Sequence, residues 1–129
     1  MNGLSEVLLI DDSPLQLNVR EAVLRKAGFQ VSVATSAEDA LAALGSLGDR
    51  LGVIVTDHLM PDCSGSKLVQ RIRLDNDWVP VIVLSGLAEA VTEYEGLDVT
   101  FRTKPIPPQE LIELVRSGLT QTMRQRGAA

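Results

Sequence analysis

The chain has 129 residues, of which 45% are apolar but only 3% aromatic, with 12 basic and 17 acidic side chains. That length suits one domain with an aliphatic core, and the apolar content argues against disorder. The net charge of −5 disfavours a nucleic-acid-binding domain, the single cysteine (Cys63) excludes an internal disulfide, and the single histidine (His58) excludes a multi-histidine metal site.

Five apolar runs read as strands, alternating with helical stretches. The first, Glu6–Ile10, is followed by Ser13 and Pro14, an N-cap with proline at the first helical position. Val19, Val23 and Ala27 then recur at helical spacing, and Gly28 supplies a stop. A second run, Gln30–Ala34, leads to Ser36 and Asp39, which predict a capping box, with Leu41 and Leu44 facing the core. The third run is Leu51–Thr56. Ser64 then caps a helix carrying Leu68, Val69 and Ile72. The fourth run, Val79–Leu84, precedes a weak, short helix over 87–96. The fifth, Val99–Arg102, alternates in polarity like an edge strand. Pro107 and Pro108 open a last helix with Leu111, Ile112, Val115 and Leu119 inward; its tail, Gln121–Ala129, is expected to fray.

Near-continuous apolar strands alternating with helices predict an α/β fold, (βα)5, with a parallel sheet covered on both faces. Ligands in such folds bind beyond the carboxyl ends of the strands. Asp11 and Asp12 follow the first strand, Asp57 the third, Ser85 the fourth and Lys104 the fifth. Taken singly, these residues read as turn acids, a helix cap and a surface lysine. Their coincidence at one sheet edge points to chemistry. Three gathered carboxylates repel unless a hard cation such as Mg²⁺ compensates them. Mg²⁺, a lysine and a hydroxyl together suit a trianionic phosphoryl group. Asp57, alone at its strand end, is the candidate nucleophile, and an aspartyl phosphate the product.

The motifs LLIDDS, VTDHLMPDCSG, VIVLSG and FRTKP, in this order and spacing, resemble the CheY-like receiver domain of two-component response regulators. The resemblance covers about residues 5–122 and implies a flavodoxin-like three-layer sandwich. It implies that Asp57 accepts a phosphoryl group from a phosphohistidine of a sensor histidine kinase or a histidine phosphotransfer protein. Asp12 then serves as a direct Mg²⁺ (or Mn²⁺) ligand, Asp11 acts largely through water, and the backbone carbonyl of Leu59 completes the protein ligands with Asp57. Ser85 corresponds to the switch hydroxyl, Phe101 to the aromatic switch residue and Lys104 to the lysine that pairs with the phosphate. The Lys104–Pro105 bond is expected to be cis, and Gly65 to permit a tight turn after the third strand. The implied protein is not a multiple-turnover enzyme. It catalyses its own Mg²⁺-dependent phosphorylation and slow dephosphorylation, then changes shape to control a downstream effector protein.

A single receiver over residues 1–129 is expected, without an output domain and without direct nucleic-acid binding. Stand-alone regulator and excised receiver of a hybrid kinase both fit; DHLMP and SGLAEA resemble the latter. No apolar run approaches the ~20 residues of a membrane span, and MNGLSEVLLI lacks the features of a signal peptide, so a cytoplasmic setting is expected.

Several features depart from that family's usual pattern. The span from Ser85 to Lys104 is short, so the fourth crossover helix is reduced, and the face it builds suits a dedicated partner better than self-association. Leu59 and Leu87 flank the path of attacking water in the resembled family, which predicts slow self-dephosphorylation. His58 reads as a solvent-facing filler, with phosphoryl relay or pH sensing as the alternative. Cys63 reads as a plain loop thiol. Leu15 and Leu17 lie off the stripe assigned to the first helix. They are either core residues in a shifted register or an apolar patch that docks a kinase's helical bundle. Three competing functions remain: a phosphorylation-independent binding module, a phosphatase of the haloacid dehalogenase type, and a flavin mononucleotide binder. The phosphatase would need Asp-x-Asp where Asp57-His58-Leu59 stands. The flavin binder would need a hydroxyl-rich phosphate loop where Asp11 and Asp12 stand.

Overall fold

The computed structural model describes residues 5–127. The expectations for residues 1–4, and for Ala128 and Ala129 in the tail, lie outside them. Strands β1 (Glu6–Ile10), β2 (Gln30–Ala34), β3 (Leu51–Asp57), β4 (Val81–Ser85) and β5 (Thr100–Thr103) form one parallel sheet in the order β2-β1-β3-β4-β5. Helices α1 (Pro14–Lys26), α2 (Ala37–Leu47), α3 (Gly65–Asp75) and α4 (Pro108–Gly127) cover its two faces. The fourth crossover is a 3-10 segment, Ala88–Tyr94, in place of an α-helix. The (βα)5 sandwich expected from the sequence is therefore present, with its fourth helix reduced.

Alternation along each inner strand builds two core layers. Leu8, Ile10, Ile54 and Val83 face α2 and α3, where they meet Ala40, Leu68 and Ile72. Val7, Leu9, Val53, Val55 and Leu84 face α1 and α4, where they meet Leu17, Leu24, Leu111 and Val115. Strands β1, β3 and β4 are buried along their whole length, in keeping with their near-continuous Val, Ile and Leu runs. β5 is half-buried to exposed, in keeping with an edge strand.

Caps match the sequence signals. Ser13, Ser36 and Ser64 each accept the N–H three residues on, and Gly28 ends α1 at φ 100°. The Ser36–Asp39 box is one-sided, because the Asp39 carboxylate accepts from Thr35 Oγ1 instead. In α1 the stripe is shifted from the one expected. Leu17 and Leu24, two turns apart, are buried, while Val19 is 55% exposed and Leu15 74% exposed. The Val19–Val23–Ala27 spacing is helical, but a stripe centred on Leu17 also turns Arg20 inward, and that placement satisfies a buried acid.

The tail expected to fray instead continues α4 through Gln121–Arg126. Thr122 is fully buried and donates to the Gly52 carbonyl at 2.6 Å, and Arg126 donates to the Leu51 carbonyl at 3.1 Å. Gly118 lets this helix approach β3, since a Cβ there would stand 2.9 Å from Val53 Cγ2. Small and hydroxyl residues at 118 and 122 thus make a helix-to-sheet contact that a search for large apolar residues passes over.

Candidate functional site

Strand order reverses at β1, whose neighbours are β2 and β3. Ile10 pairs with Thr56, so Asp11 and Asp57 leave the sheet side by side. One carboxylate oxygen from each of Asp11, Asp12 and Asp57 lies within 4.8 Å of the others. Asp11 is fully buried; it accepts from Ser13 N–H at 2.9 Å and from Arg20 at 2.5 Å. Asp12 is more open to solvent.

Lys104 enters from the far side. Its N–H donates to the Ser85 carbonyl at 2.7 Å, just past the β4–β5 ladder. From there its Nζ stands 2.5 Å from Asp57 Oδ1 and 3.1 Å from Gln16 Oε1. The Lys104–Pro105 bond is cis, as expected. Burial pushes the Asp57 carboxyl above the usual carboxylate range; Lys104 pulls it back, and neighbouring Asp11 adds to the rise. Asp57 is thus buried but paired with Lys104.

The oxygen-only donor set of three acids suits a hard divalent cation better than zinc or a soft metal. Arg20 and Lys104 offset two of the three negative charges, so one net negative charge and an open edge at Asp12 face solvent. Ser85 is buried at the end of β4, and its hydroxyl accepts from Leu87 N–H (2.9 Å) and donates to the Leu87 carbonyl (3.0 Å). Phe101 is half-buried on β5, its ring centroid 5.8 Å from that of Tyr94. Leu59 and Leu87 follow β3 and β4 and are 57% and 44% exposed.

The family model for the response regulator receiver domain matches residues 7–116. The chain belongs to that family. The receiver is similar to the two-component response regulator ARR11 of Arabidopsis thaliana, with 32% identity over 108 residues. That match takes in 81% of this chain but only 20% of the plant protein, so the receiver spans about a fifth of that relative's length. Among solved structures it is similar to the signal receiver domain of a signal transduction histidine kinase from Syntrophus aciditrophicus, at TM-score 0.80, 29% identity and 90% coverage of both chains. The fold is also that of the CheX–CheY–BeF3–Mg²⁺ complex from Borrelia burgdorferi, at TM-score 0.80, 22% identity and coverage of 88% of this chain and 87% of that one.

Four residues at this edge were not singled out as site residues from the sequence. Arg20 is the clearest. A buried acid pair demands a compensating cation, and Arg20 lies on the first helix after the pair, one turn beyond Leu17. Gln16 shares the Lys104 ammonium from the same helix. Tyr94 and Glu93 approach from the 3-10 segment. His58 differs from its expected placement. It is 3% exposed rather than solvent-facing, with Nδ1 sharing a 2.7 Å hydrogen bond with the Tyr94 hydroxyl and Nε2 3.6 Å from Glu93. The cause is the short fourth crossover: its 3-10 segment lays Tyr94 over the end of β3 and covers the ring.

The loop after β3 turns back tightly at Gly65, whose N–H donates to the His58 carbonyl at 2.6 Å. A Cβ there would stand 2.6 Å from the Tyr94 hydroxyl and 2.7 Å from the Asp57 carbonyl, so close approach rather than positive φ excludes a side chain. Cys63 is half-buried against the core, and burial pushes its thiol up, away from reactivity.

Proposed function

We propose that this receiver takes a phosphoryl group onto Asp57 from the phosphohistidine of a histidine kinase or phosphotransfer protein, and that the modification resets the segment after β4 for a downstream partner protein. The observation that carries the proposal is the pairing of three clustered carboxylates with Lys104, placed 2.5 Å from Asp57 Oδ1 at the end of β3. In the transfer an Asp57 oxygen forms the new bond to phosphorus. The bond from phosphorus to the donor's imidazole nitrogen breaks, and that nitrogen keeps the electron pair. Lys104 stands where a phosphoryl oxygen on Asp57 would arrive and neutralises part of its charge. Asp12, Asp57 and the Leu59 carbonyl are proposed to hold Mg²⁺ (or Mn²⁺), with Asp11 acting through water. The ion, when bound, offsets the remaining phosphoryl charge. Ser85 would give up Leu87 and turn its hydroxyl toward the phosphoryl group, and Phe101 would repack behind it.

The donor's approach is supported by a groove of about 560 Å³ beside Lys104, lined by Leu15, Val19 and Val23 of α1 and by Ile106, Pro108 and Leu111. Its apolar floor and proximity to Lys104 suit a helical donor presenting a histidine. Leu15 therefore falls to the docking reading, whereas Leu17 belongs to the core. No helix among the described residues is long and apolar enough to cross a membrane, and a cytoplasmic setting is proposed.

Incubation with acetyl phosphate and Mg²⁺ followed by intact-mass measurement tests the reading. One added phosphoryl group, absent with EDTA and in Asp57→Asn, is the expected result. An adduct that persists in the variant would overturn it.

A further inference from the structure

The segment between β4 and β5 is held at two ends. At its front, Leu87 is fixed by both hydrogen bonds of the Ser85 hydroxyl. At its rear, Tyr94 is buried with its hydroxyl 2.7 Å from His58 Nδ1. Glu93 accepts from Ser66 Oγ at 2.9 Å and lies 3.6 Å from His58 Nε2. Both ring nitrogens of His58, the chain's only histidine, thus face the rear of the segment.

The His58 backbone is immobilised separately. Its N–H donates to the Leu84 carbonyl at 2.9 Å, and its carbonyl accepts from Gly65 N–H at 2.6 Å. The segment itself has weak internal support: 3-10 hydrogen bonds are poorly aligned, and of Ala88–Tyr94 only Ala90 and Tyr94 are buried. A rigid peg therefore meets a compliant strap.

We propose that His58 and Tyr94 are positioning residues for Ser85: pinning the rear of the strap to β3 keeps Leu87 where it occupies the Ser85 hydroxyl. The proposal rests on the reading of Ser85 as the hydroxyl that turns to a phosphoryl group on Asp57. That hydroxyl has one proton and cannot donate it to Leu87 and to a phosphoryl oxygen at once. Whatever stabilises the strap's resting position opposes the turn. The Tyr94–Phe101 ring contact links the rear of the strap to β5.

Tyr94→Phe keeps the ring and removes the hydroxyl. Loss of one hydrogen bond should speed exchange of the Leu87 N–H with water, read by NMR, about fivefold, while amides of β1 and β3 stay unchanged. His58→Leu should act alike. His58→Asn, whose side-chain amide falls near the Nδ1 position, should stay near wild type. Unchanged Leu87 exchange in folded Tyr94→Phe and His58→Leu would overturn the proposal. So would a rise spread equally over β1 and β3, which would mean general destabilisation. Phosphorylation of Tyr94→Phe by acetyl phosphate should also quicken about fivefold, because less holds Ser85 back; an unchanged rate beside faster exchange would break the link to the reaction. Failure of the wild-type protein to take any phosphoryl group would sink the phosphoacceptor reading instead, and the exchange comparison decides the positioning of Leu87 without it.

Discussion

Replacing Gly65 by alanine puts a methyl group where three atoms already stand: the Tyr94 hydroxyl at 2.6 Å, the Asp57 carbonyl at 2.7 Å and His58 Cα at 3.0 Å. Two of the three belong to the backbone at the end of β3 and cannot rotate away. The substitution must therefore push α3 off β3 or displace the peptide that carries Asp57. Overpacking of this kind costs about 1–3 kcal/mol, and backbone contacts place this site toward the upper end, at about 2–3 kcal/mol. For a domain of this size a kcal/mol is roughly 3–5 °C in Tm, so thermal unfolding followed by circular dichroism should fall by about 6–15 °C. Acetyl phosphate labelling should slow as well, because the acceptor's own peptide moves. Adding Tyr94→Phe removes the first contact only, so most of the loss should remain. A Gly65→Ala protein melting within about 1 °C of wild type would refute this account of the glycine.

Leu59→Asn with Leu87→Glu should shorten the lifetime of the phosphorylated protein by roughly tenfold, the equivalent of one well-placed hydrogen bond to attacking water; a lifetime equal to wild type in a phosphate-release assay would contradict the water-excluding role of these leucines. Leu15→Ala should slow transfer from a cognate phosphohistidine donor while leaving acetyl phosphate labelling unchanged. Leu17→Ala, at a buried position, should instead cost about 2–5 kcal/mol in urea unfolding. Asp57→Asn in EDTA should raise stability at neutral pH. Burial lifts the native carboxyl above its unfolded value, so the stability this group lends is present below the unfolded pKa and lost as pH rises through the raised native one. Asparagine removes that loss, with Gln16 still partnering Lys104. The gain should vanish below about pH 4, where the carboxyl is protonated in both states, and equal stability at all pH values would contradict the desolvation argument.

The sheet was legible because its inner strands are buried on both faces, and such strands carry near-continuous Val, Ile and Leu whatever their neighbours are. The strand-end residues Asp11, Asp12, Asp57, Ser85 and Lys104 followed from that, since a parallel sheet assembles them at one edge. Side-chain direction on the helices was less legible. Val19 and Leu17 are both apolar near the start of α1, and the stripe that turns Leu17 and Leu24 inward also brings Arg20 to buried Asp11. The α4 contact was hidden because Gly118 and Thr122 make it with little apolar volume. His58 was misplaced because its burial depends on Tyr94, 36 residues away in sequence, and no local pattern records that pairing.

The most direct test of the phosphoacceptor assignment is to locate the modified residue. Protein labelled with acetyl phosphate and Mg²⁺ is reduced with borohydride, which converts an acyl phosphate to the corresponding alcohol, and its peptides are sequenced by mass spectrometry. The account expects one modified residue, Asp57. Modification of Asp11 or Asp12, or an alkali-stable phosphoryl group on His58, would contradict it.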